Sequence, residues 1–100
     1  MEKSCCHVHE TTKRSDDNKR KLINRLSRIE GQIRGIKAMV ESDAYCNDIL
    51  IQCAAVNAAV NAFSRELLSS HIKGCVVRDV QNGELEVIDE LLDTLRKLMK

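Results

Sequence analysis

The sequence predicts an all-α fold, and three observations carry the prediction. Apolar residues recur in alternating steps of three and four along most of the chain, the spacing of one helical face. The chain of 100 residues contains no Pro and no Trp, one Tyr and one Phe, which leaves little of the aromatic content that favours sheet. Its apolar residues are instead mostly Ala, Leu, Ile and Val, set among 31% charged residues. A chain of this length makes one small domain with a modest core, and such a domain gains stability by oligomerising.

The first segment, residues 1–16, is polar and aperiodic and is expected to be a flexible arm. It holds Cys5, Cys6, His7 and His9, a composition suggestive of an accessory metal-capturing segment. Residues 17–100 are expected to form a single helical domain. Asp16 or Asp17 can cap the first helix, where negative charge suits the helix dipole. That helix is predicted from about Asp17 to Glu41, with Leu22, Leu26, Ile29, Ile33, Ile36 and Val40 as its apolar stripe. Gly31 and Gly35 each weaken it by roughly 1 kcal/mol relative to Ala, a cost suggesting close approach of another backbone or a ligand.

Ser42 and Asp43 form a short joint and a candidate N-cap. The second helix is predicted from about Ala44 to Val80, with a bend near Gly74. Its stripe runs Cys46, Ile49, Cys53, Val56, Val60, Phe63 and Leu67, a sustained seam pattern thinned by Ala54, Ala55, Ala58, Ala59 and Ala62. Gln81-Asn82-Gly83 is a turn signal. The third helix is predicted from about Glu84 to Met99, with Leu85, Ile88, Leu92, Leu95 and Met99 facing inward. A long hairpin with one short helix is too open to fold alone. The expected architecture is a three-helix protomer, two copies closing an antiparallel four-helix-bundle dimer, and a dimer of dimers beyond that.

Three residues on the second helix carry the chemistry. His71 and Cys75 are four apart and share a helix face, making a two-ligand claw. Carrying the stripe back leads to Cys46. On one continuous helix Cys46 and His71 sit roughly 38 Å apart, at about 1.5 Å per residue. They can share a metal only if two such helices lie antiparallel, so that Cys46 of one subunit meets His71 and Cys75 of the other. Two thiolates and one imidazole are a soft set that favours Cu(I), one ion per subunit at the dimer interface. Zinc or nickel stays open if the N-terminal arm supplies a fourth ligand. Five Cys, an odd number without scaffold spacing, suit a reducing cytosol. No apolar run reaches the ~18 residues of a membrane span, and no hydrophobic signal core opens the chain, so a cytoplasmic location is expected.

The net charge of +1 hides an asymmetry. Residues 1–40 carry ten Lys or Arg against five Asp or Glu, a balance of +5; residues 41–100 carry six against ten, a balance of −4. Lys21, Arg25, Arg28 and Gln32 follow helical spacing beside the apolar stripe, and Arg34 and Lys37 extend the positive surface. A basic first half on a near-neutral chain points to a polyanionic partner.

The run Arg25-Leu-Ser-Arg28-Ile29-Glu30-Gly31-Gln32-Ile33-Arg34-Gly35 resembles the signature of the CsoR/RcnR/FrmR family of bacterial regulators. The segments Tyr45-Cys46-Asn47-Asp48-Ile49-Leu50-Ile51-Gln52 and Ser70-His71-Ile72-Lys73-Gly74-Cys75-Val76 are similar to that family's ligand-bearing segments. The resemblance covers roughly residues 17–98, and the Cys-His-Cys combination is that of the copper-sensing branch. It implies an all-helical dimer that pairs into a tetramer. It implies a repressor that binds operator DNA of copper-efflux genes and leaves it when Cu(I) binds. It also implies that Tyr45 and Glu90 stand behind His71, giving the ligating imidazole a partner for its other ring N–H. Lys21, Arg25, Arg28, Gln32 and Arg34 are the expected contacts to double-stranded operator DNA. Cys53 and the Cys5-Cys6-His7-Val8-His9 arm depart from the simplest copper-sensor pattern. They keep open a sensor of nickel, cobalt, zinc or reactive sulfur.

Two other functions compete. A cytosolic copper buffer would line its core with thiols, whereas most stripe positions here are aliphatic. A thiol enzyme using Cys75 with His71 as base has the spacing but no recognisable substrate pocket or oxyanion hole, and the chain is read as a non-enzyme.

Overall fold

The computed structural model describes residues 14–99, and every regular element among them is helical. The predicted N-terminal arm, with Cys5, Cys6, His7 and His9, lies outside the described residues. Helix α1 spans Asp16–Glu41 and α2 spans Cys46–His71. A π-helical segment, Ile72–Val76, follows without a break, then α3, Val77–Gln81, and α4, Glu86–Leu98. Residues 14–67 form one compact unit and residues 68–99 belong to a second.

Each boundary has a local cause. Ser15, in extended backbone, caps α1 by accepting a hydrogen bond from the Asn18 amide at 3.1 Å, with Asp16 and Asp17 in the first turn. The cap thus falls one residue before the two aspartates expected to supply it. The end of α1 is a Schellman turn. The Asp43 amide donates to the Val40 carbonyl at 3.1 Å, and the Ala44 amide donates to that of Met39 at 2.9 Å. Asp43 has φ 59°, the left-handed conformation that such a turn requires and that Asp adopts more readily than most residues. Ser42 and Asp43 therefore close α1 instead of capping α2.

The same device closes α3. The Gly83 amide donates to the Val80 carbonyl at 3.0 Å and the Glu84 amide donates to that of Asp79 at 2.8 Å, with Gly83 at φ 87°. The Asn82-Gly83 signal is thus a helix stop. The expected second helix, from about Ala44 to Val80, is helical from Cys46 onward, but the bend anticipated near Gly74 is a change of winding. The Val77 amide donates to the Ile72 carbonyl five residues back.

Burial corrects the stripes. On α1, Leu22 and Ile29 are buried and Ile36 is half-buried, whereas Leu26, Ile33 and Val40 remain exposed. On α4 the inward residues are Val87, buried, with Leu91 and Leu95 half-buried. Leu85, Ile88, Leu92 and Met99, expected to face inward, are exposed in the single chain. The apolar surface of α4 is wider than one chain can cover. Five apolar residues are buried in all among those described, against fifteen large hydrophobic ones left exposed. Alternate positions of a broad stripe lie along its two flanks. The side that one chain covers cannot be told from spacing alone.

Candidate metal and DNA-binding sites

The three proposed ligands lie at the ends of α2 and just beyond it. Cys46 is the first residue of α2 and is exposed; His71 is its last and is half-buried. Cys75 sits inside the π segment and is 5% exposed. Twenty-five residue steps separate Cys46 from His71 on one unbroken helix. At about 1.5 Å per residue this is roughly 38 Å. One α2 therefore cannot bring both residues to one ion. Among the described residues of a single chain, no three His, Cys, Asp or Glu groups gather into a metal-holding cluster.

The π segment gives His71 and Cys75 a particular setting. Gly74 lies between them with open space where a side chain would stand, so the winding there is not forced by crowding. Departures from α-helical winding of this kind cluster at functional sites. Cys46 and Cys53 are free thiols, whereas Cys75 is engaged in a disulfide. Only the thiolate ligates metal, so Cys75 can act as a ligand in the reduced protein. With that condition met, two sulfurs and one imidazole are a donor set suited to a soft monovalent ion.

Tyr45, 72% exposed, lies just before α2, and its carbonyl accepts the Asp48 and Ile49 amides, which starts that helix. Glu90 is on the exposed side of α4. Both side chains thus stand at the surface of one chain.

Helix α1 presents Lys21, Arg25, Arg28 and Arg34 as exposed side chains. Gln32 differs from them. It is half-buried, on the protected face with Ile29 and Ile36, and its Oε1 is buried without a hydrogen-bond partner in the structure. Gln32 is therefore less exposed than the four basic residues expected beside it. The residue missed by sequence reasoning is Asp79. It is fully buried at 0% exposure, in the same unit as Cys75, Val76 and Val87. A lone Asp in a helical run reads as solvated. The available signal was its place four residues after Cys75, continuing the ligand stripe.

Residues 18–97 match the family described as metal-sensitive transcriptional repressor. The copper-sensing transcriptional repressor CsoR of Bacillus subtilis is 47% identical over 88 residues, 87% of each chain. The copper-sensing transcriptional repressor RicR of Mycobacterium tuberculosis is 41% identical over 76 residues, 76% of this chain and 75% of that one. Among solved structures, the copper-sensing repressor CsoR with Cu(I) from Geobacillus thermodenitrificans has a TM-score of 0.85 at 36% identity, covering 90% of this chain and 95% of that one. The nickel-responsive transcriptional regulator InrS has a TM-score of 0.67 at 41% identity, covering 91% and 98%. The helical architecture, the Cys-His-Cys pattern at the ends of α2 and these similarities together establish that the chain belongs to the metal-sensitive transcriptional repressor family.

Proposed function

We propose that this chain is a Cu(I)-responsive transcriptional repressor that binds operator DNA of copper-efflux genes and releases it when Cu(I) occupies an intersubunit site. The observation that carries the reading is the placement of Cys46 and His71 at opposite ends of one 26-residue helix, with Cys75 one turn further on. Two of the similar relatives are named for copper sensing.

Two copies related by a two-fold axis, with α2 helices antiparallel, complete the site. A two-fold centre between Ala59 and Val60 sets Cys46 of one chain opposite the stretch between His71 and Cys75 of the other, which gives one Cu(I) per subunit and two sites per dimer. The exposed apolar residues of α1 and α4 give the dimer, and a tetramer beyond it, surface to bury.

Bound Cu(I) would supply a soft centre tying two chains together. Cys46 and Cys75 provide thiolates and His71 an imidazole nitrogen. Glu90 and Tyr45 are the groups proposed to receive the other ring N–H of His71. DNA is met by Lys21, Arg25, Arg28 and Arg34, repeated in each subunit, through phosphate contacts. No short recognition helix follows a tight turn, so base sequence is selected through the shape of the duplex and few edge contacts. No described helix is long and apolar enough to cross a membrane.

A nickel response is the second reading, favoured by the likeness to InrS and by the Cys/His content of residues 5–9. Titrating the reduced protein on operator DNA with Cu(I) and Ni(II) separates the two. Release by Cu(I) at a stoichiometry of one per chain supports the copper reading. Release by Ni(II) alone, dependent on residues 5–9, replaces it.

A further inference from the structure

The interior of the second unit holds a group that the copper site does not use. Cys75, Val76, Asp79 and Val87 are its buried residues among those described, and three of them are apolar or thiol. The fourth is a carboxylate whose two oxygens are both buried and have no hydrogen-bond partner. A carboxylate placed this way is costly, because water is lost and nothing replaces it. Such an orphan calls for an explanation in a second conformation or a stored strain.

Its position supplies that explanation. Asp79 is four residues after Cys75, one turn along the same helical path. Its own carbonyl accepts the Asn82 amide at 3.1 Å and the Glu84 amide at 2.8 Å, so the turn into α4 hangs directly on Asp79. The path from ligand to α4 therefore has three short links: Cys75 in the π segment, Asp79 one turn on, and the Gly83-Glu84 turn bonded to Val80 and Asp79.

We propose that Asp79 is the positioning residue through which metal capture at His71 and Cys75 is passed to α4, its unpartnered carboxylate biasing the chain away from the conformation seen here. The inference rests on the metal-sensing reading above. When His71 and Cys75 share an ion, the winding of Ile72–Val76 is fixed and Asp79 is held inside. When they do not, the segment rewinds, Asp79 turns toward water, and the α3–α4 turn moves with its carbonyl. Metal-binding energy thus offsets the burial of the carboxylate. That is the differential interaction a ligand needs to shift a two-state equilibrium. Linkage then requires that removing the charge both tighten Cu(I) binding and weaken operator binding without copper.

The test compares fully reduced wild type, Asp79→Asn and Asp79→Leu, using Cu(I) alone as the probe in competition with a chromogenic chelator. Thermal unfolding and amide exchange are followed with and without the ion. Asp79→Leu should bind Cu(I) roughly ten-fold tighter, within the usual range of coupling between sites, and Asp79→Asn should change in the same direction by less. Without copper, Asp79→Leu should unfold at a higher temperature than wild type. The Gly83 and Glu84 amides should be protected in wild type only with copper, and in Asp79→Leu with or without it. A residue that merely fills the core would lower both the unfolding temperature and the copper affinity. Variants that bind Cu(I) no tighter than a copper-binding wild type, or wild-type amides equally protected in both states, would overturn the proposal and leave the sensor reading standing. A wild type that binds no Cu(I) would overturn that reading and this inference with it.

Discussion

At the scale of single residues, the site is defined by what one chain cannot do. Cys46 and His71 stand at the two ends of one 26-residue helix, so the proposed site needs a second chain. Complementation tests this directly. Cys46→Ala and His71→Ala/Cys75→Ala homodimers should each lose high-affinity Cu(I) binding, and a heterodimer of the two should regain one of two sites. Full affinity in either homodimer would show that the ligands do not come from two chains. Glu90→Ala should bind copper almost normally while narrowing the copper-induced loss of operator affinity, a coupling that between two sites is typically about 1–3 kcal/mol. Anisotropy of labelled operator with and without Cu(I) measures that difference. The three proposed ligands were chosen from residue type and spacing. The burial of Asp79 and of the Gln32 side-chain oxygen was not legible there, because neither hydrophobicity nor period distinguishes a polar residue turned inward from its solvated neighbours.

At the scale of elements, helix ends and winding matter most. The α3–α4 joint depends on Gly83 at φ 87°, a conformation that costs an L side chain about 1–2 kcal/mol. Gly83→Ala should therefore destabilise the protein by about that amount in denaturant titration, although the added Cβ meets nothing within 4 Å. An unchanged midpoint would show that the turn rearranges freely. Helix α1 carries the basic residues proposed to meet DNA. Arg25→Ala/Arg28→Ala should weaken operator binding, and each lost phosphate contact should make the log affinity against log salt plot shallower by about one. Copper affinity should change little, and unaltered salt dependence would remove these residues from the DNA face. The helices themselves were evident from period and from the absence of Pro. The π winding was not, because it adds a residue to a turn without altering composition. Nor did sequence separate the two roles open to Ser42-Asp43, since Ser and Asp favour helix starts while Asp also tolerates the left-handed turn that closes α1.

At the scale of the whole molecule, the folded chain leaves too much apolar surface uncovered to stand alone. Ile23, Leu26, Ile33 and Val40 on α1, Leu50, Ile51 and Val60 on α2, Ile88 and Leu92 on α4, and Leu85 and Met99 at its two ends are all exposed in one chain. The unfolding temperature should accordingly rise with protein concentration, as for any fold completed by association. Free Cu(I) at a hundred times its dissociation constant should add about 2.7 kcal/mol of stability. Sedimentation equilibrium and thermal unfolding across a wide concentration range check both. A concentration-independent transition with a monomeric mass would contradict the intersubunit site.

The helical class, the approximate helix boundaries and the turn at Asn82-Gly83 could be read from the sequence, which also supplied the proposed ligand set. Each of these rests on short-range rules: backbone propensity, side-chain periodicity and the spacing of donor atoms along a helix. Only the tertiary structure decided which side of each stripe one chain covers, that Val87 rather than Leu85 or Ile88 faces inward, and that a carboxylate lies buried one turn beyond Cys75. Those outcomes depend on which surfaces meet across long sequence separation. A repeat of three and four leaves that choice open wherever the apolar stripe is wider than the contact it makes.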